Sequence, residues 1–205
     1  MRDQPFFVSV ATVAAGLGQV RRIARELSLA AINAKVIALR AGSQAAGFRP
    51  ITDFIDETAR ATAKLGIAIE SGTLAASRSA VSERRAADAL LRLRRANVGG
   101  ENQKSLEAVI ERCDVARVAL SNSVTRSIRA LDNLLNEIDA HMRSISVITV
   151  QSRVEARQAG TYRVDLEAVA ASMSGAAEQV TAIVQQSRRE LRDALAARAK
   201  QRTTD

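Results

Sequence analysis

The sequence has very few of the residues that usually interrupt helices. Its 205 residues include no tryptophan, one tyrosine, four phenylalanines, two prolines and ten glycines. With only two prolines the chain has few turn-forming residues, which argues against a sandwich or barrel of many strands. Apolar residues make up 47% of the chain. They are mostly Ala, Val, Leu and Ile, too abundant for a disordered protein. The composition therefore favours long helices.

Cysteine and histidine are nearly absent, which limits the available chemistry. The single Cys113 excludes a disulfide framework or a Cys-rich zinc site, and it falls on a heptad position expected to be apolar core. The single His141 removes most histidine-based metal and triad chemistry and is expected at the surface or seam. Phosphate loops, carboxylate pairs and metal clusters are not visible at helical spacing. We therefore predict a non-enzymatic protein without a metal or cofactor.

The formal charge is +8, and 26 of the 30 basic residues are arginine. This balance suits a nucleic acid, an anionic membrane or an acidic protein, and does not choose among them. Basic clusters at residues 84–95 and 188–198 are expected to be solvated helix faces. No nucleic acid is expected, because aromatic platforms and a recognised motif are missing.

Residues 4–20 form the only stretch that could be a targeting segment. They faintly resemble a signal peptide, but they also begin a heptad stripe, so a helix is the better interpretation. The stretch is short for a membrane span and rich in Gly, Ser and Thr. We expect a soluble, cytoplasmic chain without a transmembrane segment.

Apolar residues recur at alternating steps of three and four, the pattern of coiled-coil helices. The first stripe runs from Val10 to Ala41, and the second helix covers about residues 48–95. The third stripe, from Leu106 to Ile148, lies in a predicted helix over 102–157, and a fourth helix follows Gly160. Short turns make neighbouring helices antiparallel. We predict an all-α, elongated, antiparallel up-down-up-down four-helix coiled-coil bundle formed by residues 1–205.

Glycine-containing turns divide this bundle into two hairpins. Hairpin 1 covers residues 7–97 with its tip near 42–47, and hairpin 2 covers 102–200 with its tip near 159–163. Residues 97–102 are the clearest turn signal. Segments 34–42 (AKVIALRAG) and 152–160 (SRVEARQAG) share Val, Ala and Ala-Gly at an offset of 118 residues. We interpret them as two copies of one hairpin.

A second apolar stripe, Leu29, Ile32, Val36 and Leu39, widens the apolar face of the first helix near its end. A helix that is apolar over so wide an arc must be covered, either by neighbouring helices or by another protein.

Ile23-Ala24, the run 31–42 (AINAKVIALRAG) and Gly47-Phe48 together resemble, without a gap, the cytoplasmic signalling tip of methyl-accepting chemotaxis proteins. The second copy keeps Val154-Glu155-Ala156 and Ala159-Gly160. The likeness covers the first tip well and the second weakly, and the remainder is generic coiled coil.

The resemblance implies a function and a set of contact residues. Such receptors form dimeric four-helix bundles whose tips associate and bind a chemotaxis histidine kinase and its SH3-like adaptor. A chain with two hairpins would imitate the whole dimer, with self-association through its tips. The implied contact residues are Leu29, Ile32, Asn33, Val36, Arg40, Phe48, Pro50, Ile51, Gln151, Val154 and Glu155, and the turn residues are Gly42, Gly47 and Gly160.

The first hairpin departs from the family pattern at four positions, one of which is Arg25, where the family often has an aromatic residue that supports trimer contacts. Ile37 stands where the family has Glu, Ser43 replaces an acidic residue and Pro50 replaces a valine. These departures motivate an alternative, a structural or scaffold bundle that kept the receptor fold without kinase control. A third, weaker hypothesis is a basic helical protein that binds nucleic acid or anionic lipid.

Overall fold

The computed structural model describes residues 4–96 and 103–202, which form four long helices. They are α1 (Gln4–Ala41), α2 (Phe48–Ala96), α3 (Gln103–Ala156) and α4 (Arg163–Arg202). Both α1 and α3 pack against α2 and α4. This arrangement confirms the predicted all-α bundle.

The helix bounds differ slightly from those predicted. The first helix starts at Gln4, whereas hairpin 1 was predicted from residue 7, and the last continues to Arg202, beyond the predicted end of hairpin 2 at residue 200. The predicted turn over residues 97–102 lies outside the described residues. None of the described helices is long and apolar enough to cross a membrane.

The core consists of the heptad residues of all four helices, and the same buried positions recur 118 residues later. Leu17 and Leu135 are both fully buried, as are Leu27 and Ile145 on the helices that run towards the tips. On the returning helices, Phe48 matches Leu166 and Ile55 matches Met173, again with all four side chains buried. The two hairpins therefore contribute equivalent layers to one core.

Near the tips, α1 and α3 contribute only small residues to the core. Ala34 and Ala38 are matched by Ser152 and Ala156, and all four are fully buried. The Ser152 hydroxyl donates a hydrogen bond to the Ile148 carbonyl oxygen at 3.0 Å, so its polar atom is satisfied. The large buried side chains near the tips are Phe48 on α2 and Leu166 on α4.

Away from the tips, the bundle continues as two helices. At the offset of 118 residues, Gln4 of α1 is level with Asn122 of α3. The predicted stripe of α3 is accordingly not buried before Ser121, and Val109 is 41% exposed. Cys113 is half-buried rather than core. The heptad pattern correctly predicted that this segment is helical. The prediction that its apolar stripe is buried was wrong, because the described parts of α1 and α4 do not extend alongside it.

An ion pair lies where the four-helix core ends. The guanidinium of Arg198 on α4 pairs with the carboxylate of Glu83 on α2, and their side chains are only 11% and 17% exposed. Nearby, the Ser9 hydroxyl donates to Glu190 Oε2 at 3.0 Å and so joins α1 to α4. Polar contacts thus replace apolar layers at this end of the core.

Candidate partner-binding surface at the hairpin tips

Both tips turn at a glycine with left-handed backbone. Gly42 has φ of 63° and Gly160 has φ of 57°. These conformations are costly for residues with a Cβ, which explains why glycine ends each helix. A short 3₁₀ turn follows each one, Gly42–Ala45 in hairpin 1 and Gly160–Tyr162 in hairpin 2. The two tips are therefore built in the same way.

The tips lie side by side and touch. The carboxylate of Glu155, on α3, packs against Gly47 so closely that a Cβ there would collide with it. A Cβ on Gly160 would lie 2.6 Å from Gln44 Oε1 of hairpin 1. Ala45 and Ala159 are buried between the tips. Glu155 thus joins the two hairpins, and it is half-buried rather than freely exposed.

The α1 stripe, defined as Leu29, Ile32, Val36 and Leu39, faces solvent. These side chains are between 40% and 61% exposed. The predicted contact residues Asn33 and Arg40 are exposed on the same helix. Of the two explanations that the sequence left open, burial by neighbouring helices does not apply to this stripe.

An equivalent α3 stripe, defined as Val147, Val150 and Val154, lies on hairpin 2. Its side chains are between 54% and 71% exposed, and each matches an α1 stripe residue at the offset of 118. The predicted contact residue Gln151 is exposed beside it. Val147 and Val150 were not among the predicted contact residues, although their spacing to Val154, in steps of three and four, was the available signal. Two further exposed apolar side chains lie near the tips, Phe54 on α2 and Val164 on α4.

Two predicted contact residues belong to the core instead. Phe48 is fully buried and Ile51 is only 5% exposed, so the prediction that they form partner surface is wrong. Both lie on the side of α2 that continues inward to Ile55, and helical periodicity directs them into the bundle. Pro50, on the opposite side of the helix, is exposed as predicted.

Charged residues line the solvent-facing groove of each hairpin. Between α1 and α2, Lys35 Nζ contacts Asp53 Oδ1 at 2.5 Å. Between α3 and α4, Arg163 Nε contacts Glu167 Oε1 at 2.9 Å beside Arg153 and Arg157. The tip therefore combines apolar stripes with polar grooves, a pattern typical of protein-binding surfaces.

Metal-binding and nucleophilic groups do not cluster in the part of the chain that the structure describes. No group of three or more His, Cys, Asp or Glu side chains is placed to hold a metal ion within residues 4–96 and 103–202. His141 is half-buried, with its Nδ1 3.1 Å from the Thr62 hydroxyl oxygen, which joins α3 to α2. His141 therefore contributes to helix packing at the seam, one of the two places where it was expected.

Fold and surface together define a helical bundle with paired apolar stripes at its tips. No protein-family model matches this chain, and no curated protein or solved structure matches it either.

Proposed function

We propose that this chain is a non-enzymatic, cytoplasmic signalling module similar to the chemotaxis-receptor tip. Its two hairpin tips would dock a chemotaxis histidine kinase and its SH3-like adaptor. One chain would supply both hairpins that a receptor dimer supplies from two subunits. The proposal rests on the tip motif of hairpin 1 and on the surface described above.

The observation that carries the proposal is the pair of exposed apolar stripes. Leu29, Ile32 and Val36 recur as Val147, Val150 and Val154 at one constant offset, on a bundle whose core is otherwise well packed. Apolar residues at matched buried positions of the two hairpins are explained by core packing alone. Apolar residues at matched exposed positions of both hairpins do not stabilise an isolated bundle. A partner that covers both stripes accounts for the pattern.

The stripes support a complex of moderate strength. Burying the exposed part of one valine or leucine side chain contributes roughly 1 kcal/mol. Several such side chains together offset only part of the free-energy cost of association, which is about 4–15 kcal/mol. Polar contacts from Asn33, Arg40 and Gln151 must therefore add to the affinity. We expect a dissociation constant in the micromolar range, about −8 kcal/mol.

The small buried side chains behind the stripes favour a change between two alternative packings of the helices. Ala34, Ala38, Ser152 and Ala156 form the inner face of α1 and α3 near the tips. Small side chains interlock less than leucine or isoleucine, so two nearby packings can differ by only a few kcal/mol. Input at the far end would then change the tip arrangement and the activity of a bound kinase.

Capture of the adaptor tests this function. The adaptor and kinase encoded in the same genome would be presented to the immobilised chain, to Asn33→Asp and to Val36→Arg. Arg94→Glu, at an exposed position on the far part of α2, is the matched control. Loss of capture in the tip variants with retention in the control supports the proposal. Unchanged capture in the tip variants would contradict it.

A structural scaffold is the second candidate, and one observation favours it. Ile37, which stands where the family has Glu, is partly buried and packs against the core. Hairpin 1 thus uses this position for stability rather than for a charged contact. If the folded chain captures neither adaptor nor kinase at micromolar concentrations, the scaffold function replaces the signalling one.

A further inference from the structure

The two hairpins differ in how the charged residues of their grooves are placed and paired, although their folds match. The hairpin-1 groove lies between α1 and α2 near the first tip, and the hairpin-2 groove lies between α3 and α4 near the second. Because each residue of one groove has a counterpart 118 residues away, the two can be compared position by position.

In the hairpin-1 groove, two acids of α2 contact α1. Lys35 on α1 pairs with Asp53 on α2 at 2.5 Å. The carboxylate of Asp56 accepts a hydrogen bond from the Ser28 hydroxyl of α1 and also pairs with Arg60 of α2 at 2.8 Å. Lys35 therefore has a carboxylate partner on the facing helix.

The hairpin-2 groove lacks the two acids of α2 that contact α1 in hairpin 1. Ala171 and Ser174 stand at the positions that match Asp53 and Asp56, while Arg153 matches Lys35. An additional arginine, Arg157, stands where hairpin 1 has Leu39. The acids of α4 stand elsewhere, with Glu167 and Glu178 at the positions that match Arg49 and Arg60, and Glu167 pairs with Arg163 on its own helix.

Three arginines consequently converge on one cleft. Arg153, Arg157 and Arg163 line it together with Glu167, and its volume is about 350 Å³. Glu167 is engaged by Arg163 at 2.9 Å. Arg153 and Arg157 are exposed, and their guanidinium groups make no hydrogen bond or ion pair with any residue that the structure describes.

Helix-end electrostatics explain only part of this pattern. A cation in the last turn of a helix interacts favourably with the free carbonyl groups there, and Arg153 lies in the last turn of α3. In α1 the cation of the last turn is Arg40, while Lys35, which matches Arg153, pairs across the groove with Asp53. Helix-end stabilisation thus accounts for a cation at Arg153, but not for the absence of acids at the two α4 positions that match Asp53 and Asp56.

We propose that the hairpin-2 groove binds an acidic amphipathic helix of a partner protein. Arg153 and Arg157 are four residues apart at the end of α3, so their guanidinium groups can donate hydrogen bonds to carboxylates from consecutive turns of one helix. Val150 and Val154 each precede one of these arginines by three residues and would contact the apolar side of the same helix.

A protein helix fits this surface better than a nucleic acid. Binding of single strands uses aromatic platforms on which bases stack. The chain contains no tryptophan, and its one tyrosine, Tyr162, is partly buried against the core. Of its four phenylalanines, Phe48 is buried and the exposed Phe54 lies on α2 of hairpin 1. What borders the arginines instead is aliphatic, which suits leucine or valine side chains of a helix. The inference goes beyond the proposed function, because it holds for any acidic helical partner.

Fluorescence anisotropy with a labelled synthetic peptide tests the inference. The probe is a helical peptide with leucines along one face and glutamates on both flanks, and its matched form carries glutamine instead of glutamate. The variants are Arg153→Gln with Arg157→Gln and, as control, Arg126→Gln with Arg129→Gln, two exposed arginines of α3 remote from the tips. Circular dichroism checks that both variants fold.

The expected result is a difference between the two double variants. Removing Arg153 and Arg157 should weaken binding of the glutamate peptide about tenfold or more, since charged hydrogen bonds of this kind are among the stronger ones. The control variant should bind as the unchanged chain does, and the glutamine peptide should bind weakly to all three. Equal loss in both variants, or equal binding of the two peptides, would overturn the proposal. Tighter binding of single-stranded DNA than of the glutamate peptide would also overturn it.

Discussion

The carboxylate of Glu155 packs against the backbone of Gly47, and this contact joins one hairpin tip to the other. Glu155 matches Ile37 at the offset of 118 residues, so the two copies have diverged here into an apolar core contact and a polar contact between tips. The residue that the resemblance identifies as a partner contact is thus also part of the bundle. Its charge influences how the tips sit together.

Gly47→Ala should be energetically coupled to Glu155. In the unchanged chain a new methyl group would displace the end of the Glu155 side chain, so Gly47→Ala should be slightly destabilising. In a Glu155→Ala background the obstacle is gone, and Gly47→Ala should stabilise by about 0.5 kcal/mol through the unfolded state. Urea unfolding of the four proteins gives the coupling energy. Additive effects would show that the two tips do not meet at this point.

Gly42→Ala and Gly160→Ala should each destabilise the fold by about 1 kcal/mol, because both positions have left-handed backbone. Gly160→Ala should cost more than Gly42→Ala, since it also displaces Gln44. Gly175→Ala is the control, because this glycine lies within α4 and an added Cβ meets no other atom within 4 Å. That change should stabilise by up to about 1 kcal/mol. A stabilising Gly160→Ala would be incompatible with the described turn.

Phe48→Ala should act on stability rather than on partner recognition. Phe48 is fully buried, so its truncation should cost about 3–5 kcal/mol, and Leu166→Ala at the matched position should cost a similar amount. Pro50→Ala, two residues away and exposed, should change stability by less than about 1 kcal/mol. Thermal unfolding monitored by circular dichroism distinguishes the three. A small effect of Phe48→Ala would contradict the burial of this residue and would favour the surface position that the resemblance implies.

The Glu83–Arg198 pair should behave as a largely buried ion pair. Glu83→Ala leaves the Arg198 guanidinium without this carboxylate and should cost about 2 kcal/mol. Replacing both residues together, as Glu83→Leu with Arg198→Met, should restore stability to within about 1 kcal/mol of the unchanged chain. Chemical unfolding of the single and double variants gives both values. A double variant that is less stable than Glu83→Ala would argue against an apolar environment at this position.

The sequence allowed the four helices to be predicted because heptad spacing depends only on local order. Val13, Leu17 and Val20 are buried as their spacing indicates. The spacing does not indicate which helix, if any, packs against a given stripe. Val109 continues the α3 stripe and is exposed, since the described part of α1 does not extend alongside it.

The candidate site was predictable only in part, for a related reason. The α1 stripe was visible as a second apolar row, whereas Phe48 and Ile51 were assigned from the family motif against their helical phase. The sequence could not indicate that the side chains of Arg153 and Arg157 lack ion-pair partners, because this depends on which α4 residues face them. That relation exists only in the folded bundle.

The most direct measurement of the central claim is a methyl NMR titration of the labelled chain with the chemotaxis adaptor. Leu29, Val36, Val147 and Val154 should shift or broaden at micromolar adaptor, because the proposed function places them in the complex. Val115 and Leu91 are equally exposed on the two-helix part of the bundle and should stay unchanged. Changes confined to Val115 and Leu91, or no changes at all, would contradict partner docking at the tips.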